Sequence, residues 1–281
     1  MKNNIVDGYA GIDVAFAKKK RLPIVVCTFR DGRLEPLRLK AIAAKPPLGQ
    51  GNRRILDSNA VLEFANDTAV YLQHIEAEFE IRIKRIAIDA PSNPKQVGAT
   101  RRLCEIGLDN RKISCITTPS TAEFESICSK ARQFLADGGA DAHLPAANRL
   151  WMLVGFELFR RLRQEWDCLE VFPQAIATVL NAQHIHKTHR DGVTAQLSAV
   201  ARHTSWPPDS DVSSLLGIGY GSFHDRLDAY LSAWVASLDD CDRLALGKPP
   251  NDAIWIPRLT SDGEAISIGD FEVHEDDNAR T

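Results

Sequence analysis

Asp225 and Asp228 stand three residues apart in the stretch Phe223-His224-Asp225-Arg226-Leu227-Asp228-Ala229-Tyr230. On a helix that spacing sets both carboxylates on one face, and His224, four before Asp228, joins them. Ionised acids this close repel, which costs stability unless a cation sits between them. A helix dipole favours acids in the first turn, so capping accounts for one of the two. Two acids and a histidine exceed what a cap needs. Two further acids sit at the ends of apolar strands: Asp13 in Gly11-Ile12-Asp13-Val14-Ala15, and Asp89 in Ala87-Ile88-Asp89-Ala90-Pro91. A buried strand end rarely tolerates an unpaired carboxylate, because the ionised group loses its hydration there. If the two strands are parallel neighbours, their backbones run about 5 Å apart and both acids face one point. Three or four carboxylates at one point suit a pair of Mg²⁺ or Mn²⁺ ions about 3.5–4 Å apart, the arrangement used in phosphodiester cleavage.

The surrounding elements must bring these acids together. Alternation of Ala10, Ile12, Val14 and Phe16 predicts a strand over 9–17. A second strand over 22–29 is rich in β-branched residues, and the Asp31-Gly32 turn leads to a third over 34–39, with Pro36 marking an edge. Asp57 or Ser58 caps a long helix that ends near Phe79. The strand 84–89 follows and carries Asp89. Three strands, a helix and a fourth strand predict a mixed sheet with a right-handed crossover. The region from about 98 to 166 reads as helical, with a short strand over 113–117. A strand over 168–172 carries Glu170, helices follow over 174–180 and 193–202, and a late strand is expected over 251–257. The acidic helix presents Leu227, Leu231, Trp234 and Leu238 as one buried stripe.

Four segments together resemble, in order, the motifs of an uncharacterised family of predicted nucleases with an RNase H-like fold, the domain of unknown function family 429. They are Gly11-Ile12-Asp13-Val14-Ala15, Ala87-Ile88-Asp89-Ala90-Pro91, Glu170-Val171-Phe172-Pro173 and His224-Asp225-Arg226-Leu227-Asp228-Ala229, and the resemblance spans about residues 8–240. It implies an α/β fold: an RNase H-like mixed five-stranded sheet flanked by helices, with a helical insertion over about 98–166. One domain over 1–258 is expected, and the polar, acidic residues from about Leu259 onward predict a flexible tail over 259–281. Asp13, Asp89, Asp225 and Asp228 would be the catalytic and metal-holding acids, with Mg²⁺ or Mn²⁺ as cofactor. Glu170 would be auxiliary; His224, read from the residues alone, can be a ligand, a general base or a supporting partner of a ligand, and the last is the first expectation. The implied activity is hydrolysis of nucleic-acid phosphodiester bonds, with DNA and RNA both open as partner.

Each acid also has an ordinary role open to it. Asp13 can bond backbone amides at a strand end, Asp89 can form a turn before Ala90-Pro91, and Glu170 can pair with Arg101 or Arg102. Glu105, in a basic helix, is expected to pair with an arginine. His184, His186 and His189 lie together but without cysteine or a repeated spacing, which predicts a solvated loop. Lys18 to Arg21, Arg53-Arg54, Arg101-Arg102 with Arg111-Lys112, and Arg160-Arg161 with Arg163 would form a phosphate-binding rim if they gather beside the acids.

Composition bounds these readings. The chain has 281 residues, 44% hydrophobic and 25% charged, which suits a globular protein, and the net charge of −3 carries no global basic signature. The six cysteines are dispersed, with no CxxC. They are expected to be core residues rather than a disulfide framework or a zinc site, which fits a cytoplasmic setting. The opening residues lack a basic segment followed by an apolar core, so no signal peptide is expected, and no apolar run approaches about 20 residues, so no membrane partner is expected. Two other classes stand beside the nuclease. One is a catalytically inactive RNase H-like nucleic-acid-binding or protein-interaction module. The other is a phosphotransferase of the actin and sugar-kinase type, which also begins with a Gly-x-Asp strand and a hairpin but needs a second Gly-rich hairpin not found in this chain.

Overall fold

The structure is a computed structural model that describes residues 5–259. Seven strands form one mixed sheet: β1 (Val6–Asp13), β2 (Ile24–Arg30), β3 (Arg33–Pro36), β4 (Ile81–Asp89), β5 (Asp167–Val171), β6 (Arg243–Lys248) and β7 (Asp252–Pro257). Their order is β3-β2-β1-β4-β5-β7-β6. The first three are antiparallel; β1, β4, β5 and β7 run parallel, and β6 returns antiparallel on β7. The expected five-stranded sheet is therefore corrected to seven. β6 escapes the pattern reading because it is a half-exposed edge strand that ends in Gly247-Lys248. Pro36 does lie on the opposite edge strand, where its missing N–H costs no ladder bond.

Between these strands run α1 (Asn52–Ile55), α2 (Ser58–Phe79), α3 (Leu103–Asn110), α4 (Thr121–Ala136), α5 (Ala147–Leu162), α6 (Pro173–Val179), α7 (Arg190–Thr204) and α8 (Phe223–Ser237). Asp57 caps α2 by accepting a bond from the Asn59 amide. α3, α4 and α5 fill the segment between β4 and β5, in the place expected for helices. The strand expected over 113–117 is absent, and residues 113–119 are irregular. That segment has no strand beside it. Its polar groups turn instead to Arg101, which donates to Thr117 Oγ1 (3.1 Å) and to Cys115 Sγ (2.9 Å), and to Glu105, which accepts from the Thr118 amide (2.8 Å).

Side-chain alternation divides the sheet into two apolar faces. Ala10, Ile12, Ile24, Val26, Ile86 and Ile88 pack with α2 and α5. Val25, Cys27, Ala87, Leu169 and Val171 pack with α6, α7 and α8. α8 is buried from Asp225 to Ser237 rather than along one stripe, as befits a helix with the sheet on one side and other helices beyond it. It lies very close to β1 at Gly11, where any Cβ would collide with the backbone of Ala229 and Ala233. Glycine is required there by proximity, not by backbone conformation. Ala229, Ser232 and Ala233 supply a matching small-residue surface.

Candidate metal centre

β1 and β4 are parallel neighbours, and Asp13 is paired in register with Asp89 at their C-terminal ends. β1 stops at Asp13, short of the expected end at residue 17, and the Asp13 amide turns to the Pro23 carbonyl (3.1 Å). Asp13 shares a sheet face with Gly11, and Asp89 shares one with Ala87, so both carboxylates project on the α8 side. The close seat of α8 on Gly11 brings Asp228 to the same point. Asp13, Asp89 and Asp228 each place a carboxylate oxygen within 4.8 Å of the others. Asp228 is 4% exposed, while Asp13 and Asp89 are half-buried.

The charges in this cluster are strained by their surroundings. Burial, then the charges of Asp228, Asp89 and Asp225, push the Asp13 carboxyl well above the usual carboxylate range. Asp89 is pushed up to about 8 by burial and by Asp228, with a smaller push from Glu170. Burial raises Asp228 as well, opposed by Lys187. Lys187 reaches in from the loop between α6 and α7 and pairs with Asp228 Oδ2. Burial acts to lower the Lys187 pKa, but Asp228, Asp89 and Asp13 together hold it above its ordinary value. The second oxygen of Asp228, Oδ1, is buried without a hydrogen-bond partner. An orphaned carboxylate oxygen inside a cluster of hard oxygen donors is what a Mg²⁺ or Mn²⁺ ligand set offers, so the residues present fit such an ion.

Asp225 stays outside this group. It is the N3 residue of a capping box: Ser222 Oγ accepts from its amide, and its Oδ2 accepts from the Ser222 amide (2.6 Å) and from Lys20 Nζ (3.1 Å). Against the upward pull of burial, these bonds hold its carboxyl below the ordinary value. Gly221, at φ +99°, keeps the space clear, since a Cβ there would lie 2.8 Å from Asp225 Oδ2. His224 Nε2 lies 3.2 Å from Asp225 Oδ1 and its Nδ1 hydrogen-bonds with Ser222 Oγ (3.0 Å); neither nitrogen bonds to the three acids. Both residues brace the start of α8, one step from the cluster.

Glu170 is also separate, and alternation explains it. It pairs in register with Ile88, on the face opposite Asp89. Arg102 grips it with two 2.7 Å bonds, and the Ser92 amide donates a third at 2.8 Å. Glu105, as expected, lies against an arginine, Arg101 (3.7 Å). The expected basic rim does not gather as a whole. Arg102 is buried, Arg101 pairs with Asp109 (2.9 Å), Arg54 with Asp57 (2.9 Å), and Arg161 with Glu165 (2.7 Å). Lys18 and Lys19, with Arg53 and Arg54, line a hollow of about 630 Å³ on the loop that follows Asp13. His184, His186 and His189 are exposed, in keeping with a solvated loop. Lys187, lying between them, is the residue that sequence reasoning passed over. Nothing in a run of histidines and polar residues marks one lysine as reaching a strand end. All six cysteines are free. Among the described residues no helix is long and apolar enough to cross a membrane. Residues 260–281, where the acidic tail is expected, lie outside the described residues.

The chain was compared with family models, with curated proteins and with solved structures, and it matches none of them.

Proposed function

We propose that the chain is a divalent-metal-dependent phosphodiesterase of RNase H-like type, acting on nucleic acid, with Asp13, Asp89 and Asp228 holding one Mg²⁺ or Mn²⁺. The observation that carries this reading is the in-register pair Asp13–Asp89 with Asp228 laid on it, its Oδ1 unpartnered. Three features that the reading needs are present. The first and fourth strands are parallel neighbours, their terminal acids share a face, and the last helix adds an acid at the same point. A bound divalent ion would lower the pKa of a water and steady charge on a phosphoryl oxygen. With three acids in reach rather than four, the site suits one ion, and the Lys187 ammonium supplies the second positive charge. Lys18 and Lys19, on the loop beyond Asp13, would meet phosphates of a bound strand.

The test is thermal melting of the wild type and Asp13→Asn with and without millimolar Mn²⁺ or Mg²⁺. Binding to the native state adds RT ln(1 + [L]/Kd), about 2.7 kcal/mol at a hundredfold excess over Kd. A rise in the wild type that is lost in Asp13→Asn is the expected result, followed by metal-dependent cleavage of a mixed oligonucleotide panel. One observation favours a second reading. The Lys187 ammonium already compensates part of the acidic charge, as it would in a module that keeps the fold and binds nucleic acid or protein without catalysis. That reading expects no metal effect on melting and no turnover.

A further inference from the structure

A cavity of about 400 Å³ at the C-terminal end of β4 and β5 has Asp89 in its lining, though not Asp13 or Asp228. Its walls are of mixed chemistry. Trp151 and Met152 come from α5, Ile116 from the irregular segment 113–119, Phe172 from the end of β5, and Gln174 from the first turn of α6. The Trp151 ring is fixed, because its Nε1 donates to the Asn148 carbonyl (2.9 Å). Ile116 is 48% exposed, an apolar side chain held at the surface where the cavity is lined. Arg102 and Glu170 also line it, but their side chains are 2% and 4% exposed and each neutralises the other. The Cys115 thiol, pushed up to about 11 by burial, is not a thiolate at neutral pH, so the cavity lacks a nucleophile there. What remains is a slot with aromatic and aliphatic sides, the carboxyls of Asp89 and Glu105 in its wall, and an amide at Gln174 that both donates and accepts.

We propose that this cavity receives a single unstacked nucleobase of the substrate whose phosphate lies at Asp13, Asp89 and Asp228. The proposal rests on the phosphodiesterase reading for the phosphate, and on the cavity alone for the base. Its volume falls in the range of small-molecule sites, about 300–1,000 Å³. A flat heteroaromatic ring suits the sides, since stacking on an aromatic side chain tolerates any base. The polar edge of the base would meet Gln174. A base paired within a duplex cannot enter without leaving its stack. The substrate class is therefore single-stranded nucleic acid or a nucleotide at a strand end, not the interior of a duplex.

The experiment is calorimetric titration with adenosine 5′-monophosphate and with ribose 5-phosphate, each in millimolar Mn²⁺. Adenosine and ribose are titrated without metal in parallel. The wild type is expected to bind the base-bearing member of each pair at least tenfold more tightly. Trp151→Ala, and the surface change Ile116→Asp in case the first variant folds poorly, are expected to bring both ratios close to one while leaving Mn²⁺ binding unchanged. Equal affinities within both pairs in the wild type would overturn the proposal, as would a preference that survives both variants. A base preference without Mn²⁺ binding would uphold the cavity and remove the metal reading, so the two fail separately.

Discussion

Asp89 holds a proton more tightly in the folded chain than in the unfolded one, because burial and the charge of Asp228 disfavour its ionised form. An unfolded aspartate titrates near 3.9. The stability that Asp89 contributes to the metal-free fold is therefore fully present at or below that value and is lost as pH rises toward about 8. Calorimetry of the metal-free wild type and Asp89→Asn should show the wild type losing melting temperature relative to the variant across that window. Asp89→Asn should raise stability at pH 7 by about 1–3 kcal/mol. Metal ligands must be deprotonated, so Mn²⁺ affinity should climb across the same window in the wild type. Lys187 gives a second test. Lys187→Ala removes a positive charge that would stand beside a divalent ion and repel it, so Mn²⁺ titration should show affinity rising several-fold. It also leaves the acids uncompensated, so the metal-free melting temperature should fall. Asp13, Asp89 and Asp228 were legible in the sequence because each acid interrupts an apolar pattern. Lys187 was not, because a lysine in a polar loop carries no sign of where its ammonium ends. Asp225 looked equivalent to Asp228, and only the capping box separates them: Asp225 is three residues from Ser222, and its carboxylate turns back to that amide.

Two contacts between elements bear on stability, and the first of them also on whether the acids stay together. The first is the seat of α8 on β1. Gly11→Ala would force the helix off the strand against backbone atoms that cannot yield. Its cost should be about 3 kcal/mol or more in denaturant unfolding, and the Mn²⁺-induced rise in melting temperature should shrink with it. The second is the Arg102–Glu170 pair, which ties α3 to β5. Removing one partner of a buried ion pair costs about 3–5 kcal/mol, so Arg102→Leu should destabilise by that order. The double variant with Glu170→Leu should recover much of the loss, measured by the same unfolding. The element pattern was readable where periodicity ran long. α2 has the expected cap and end, and β2 and β3 pair about the Asp31-Gly32 turn. It was misleading where a strand-like run has no partner strand, as at 113–117, and silent at β6, where edge exposure dilutes the apolar signal. The face on which Glu170 projects depends on the register of β5 against β4, which no single segment contains.

Across the whole molecule, helices cover both faces of one sheet, and the covering is not in chain order. α2 and α5 close one face; α8, with α6 and α7, closes the other. The parallel β1–β4 pairing and the helix that completes it were inferable from the order of motifs. The β7-β6 extension was not, since it needs the sheet to continue past β5. The close seat of α8 on Gly11 also bears on how the protein is made. β1 is synthesised before α8, with more than two hundred residues between Asp13 and Ser237. At about 5–20 residues per second, that interval is on the order of tens of seconds. For that time the β1 face that will meet α8 has no cover of its own, and Asp13 lacks Asp228. Nascent chains stalled before Phe223 should thus be cut readily by protease within β1 and bind hydrophobic-segment chaperones, while chains released with α8 should resist both. On the proposed metal reading, the three acids come together only once α8 has left the ribosome, so loading with metal would follow folding rather than guide it.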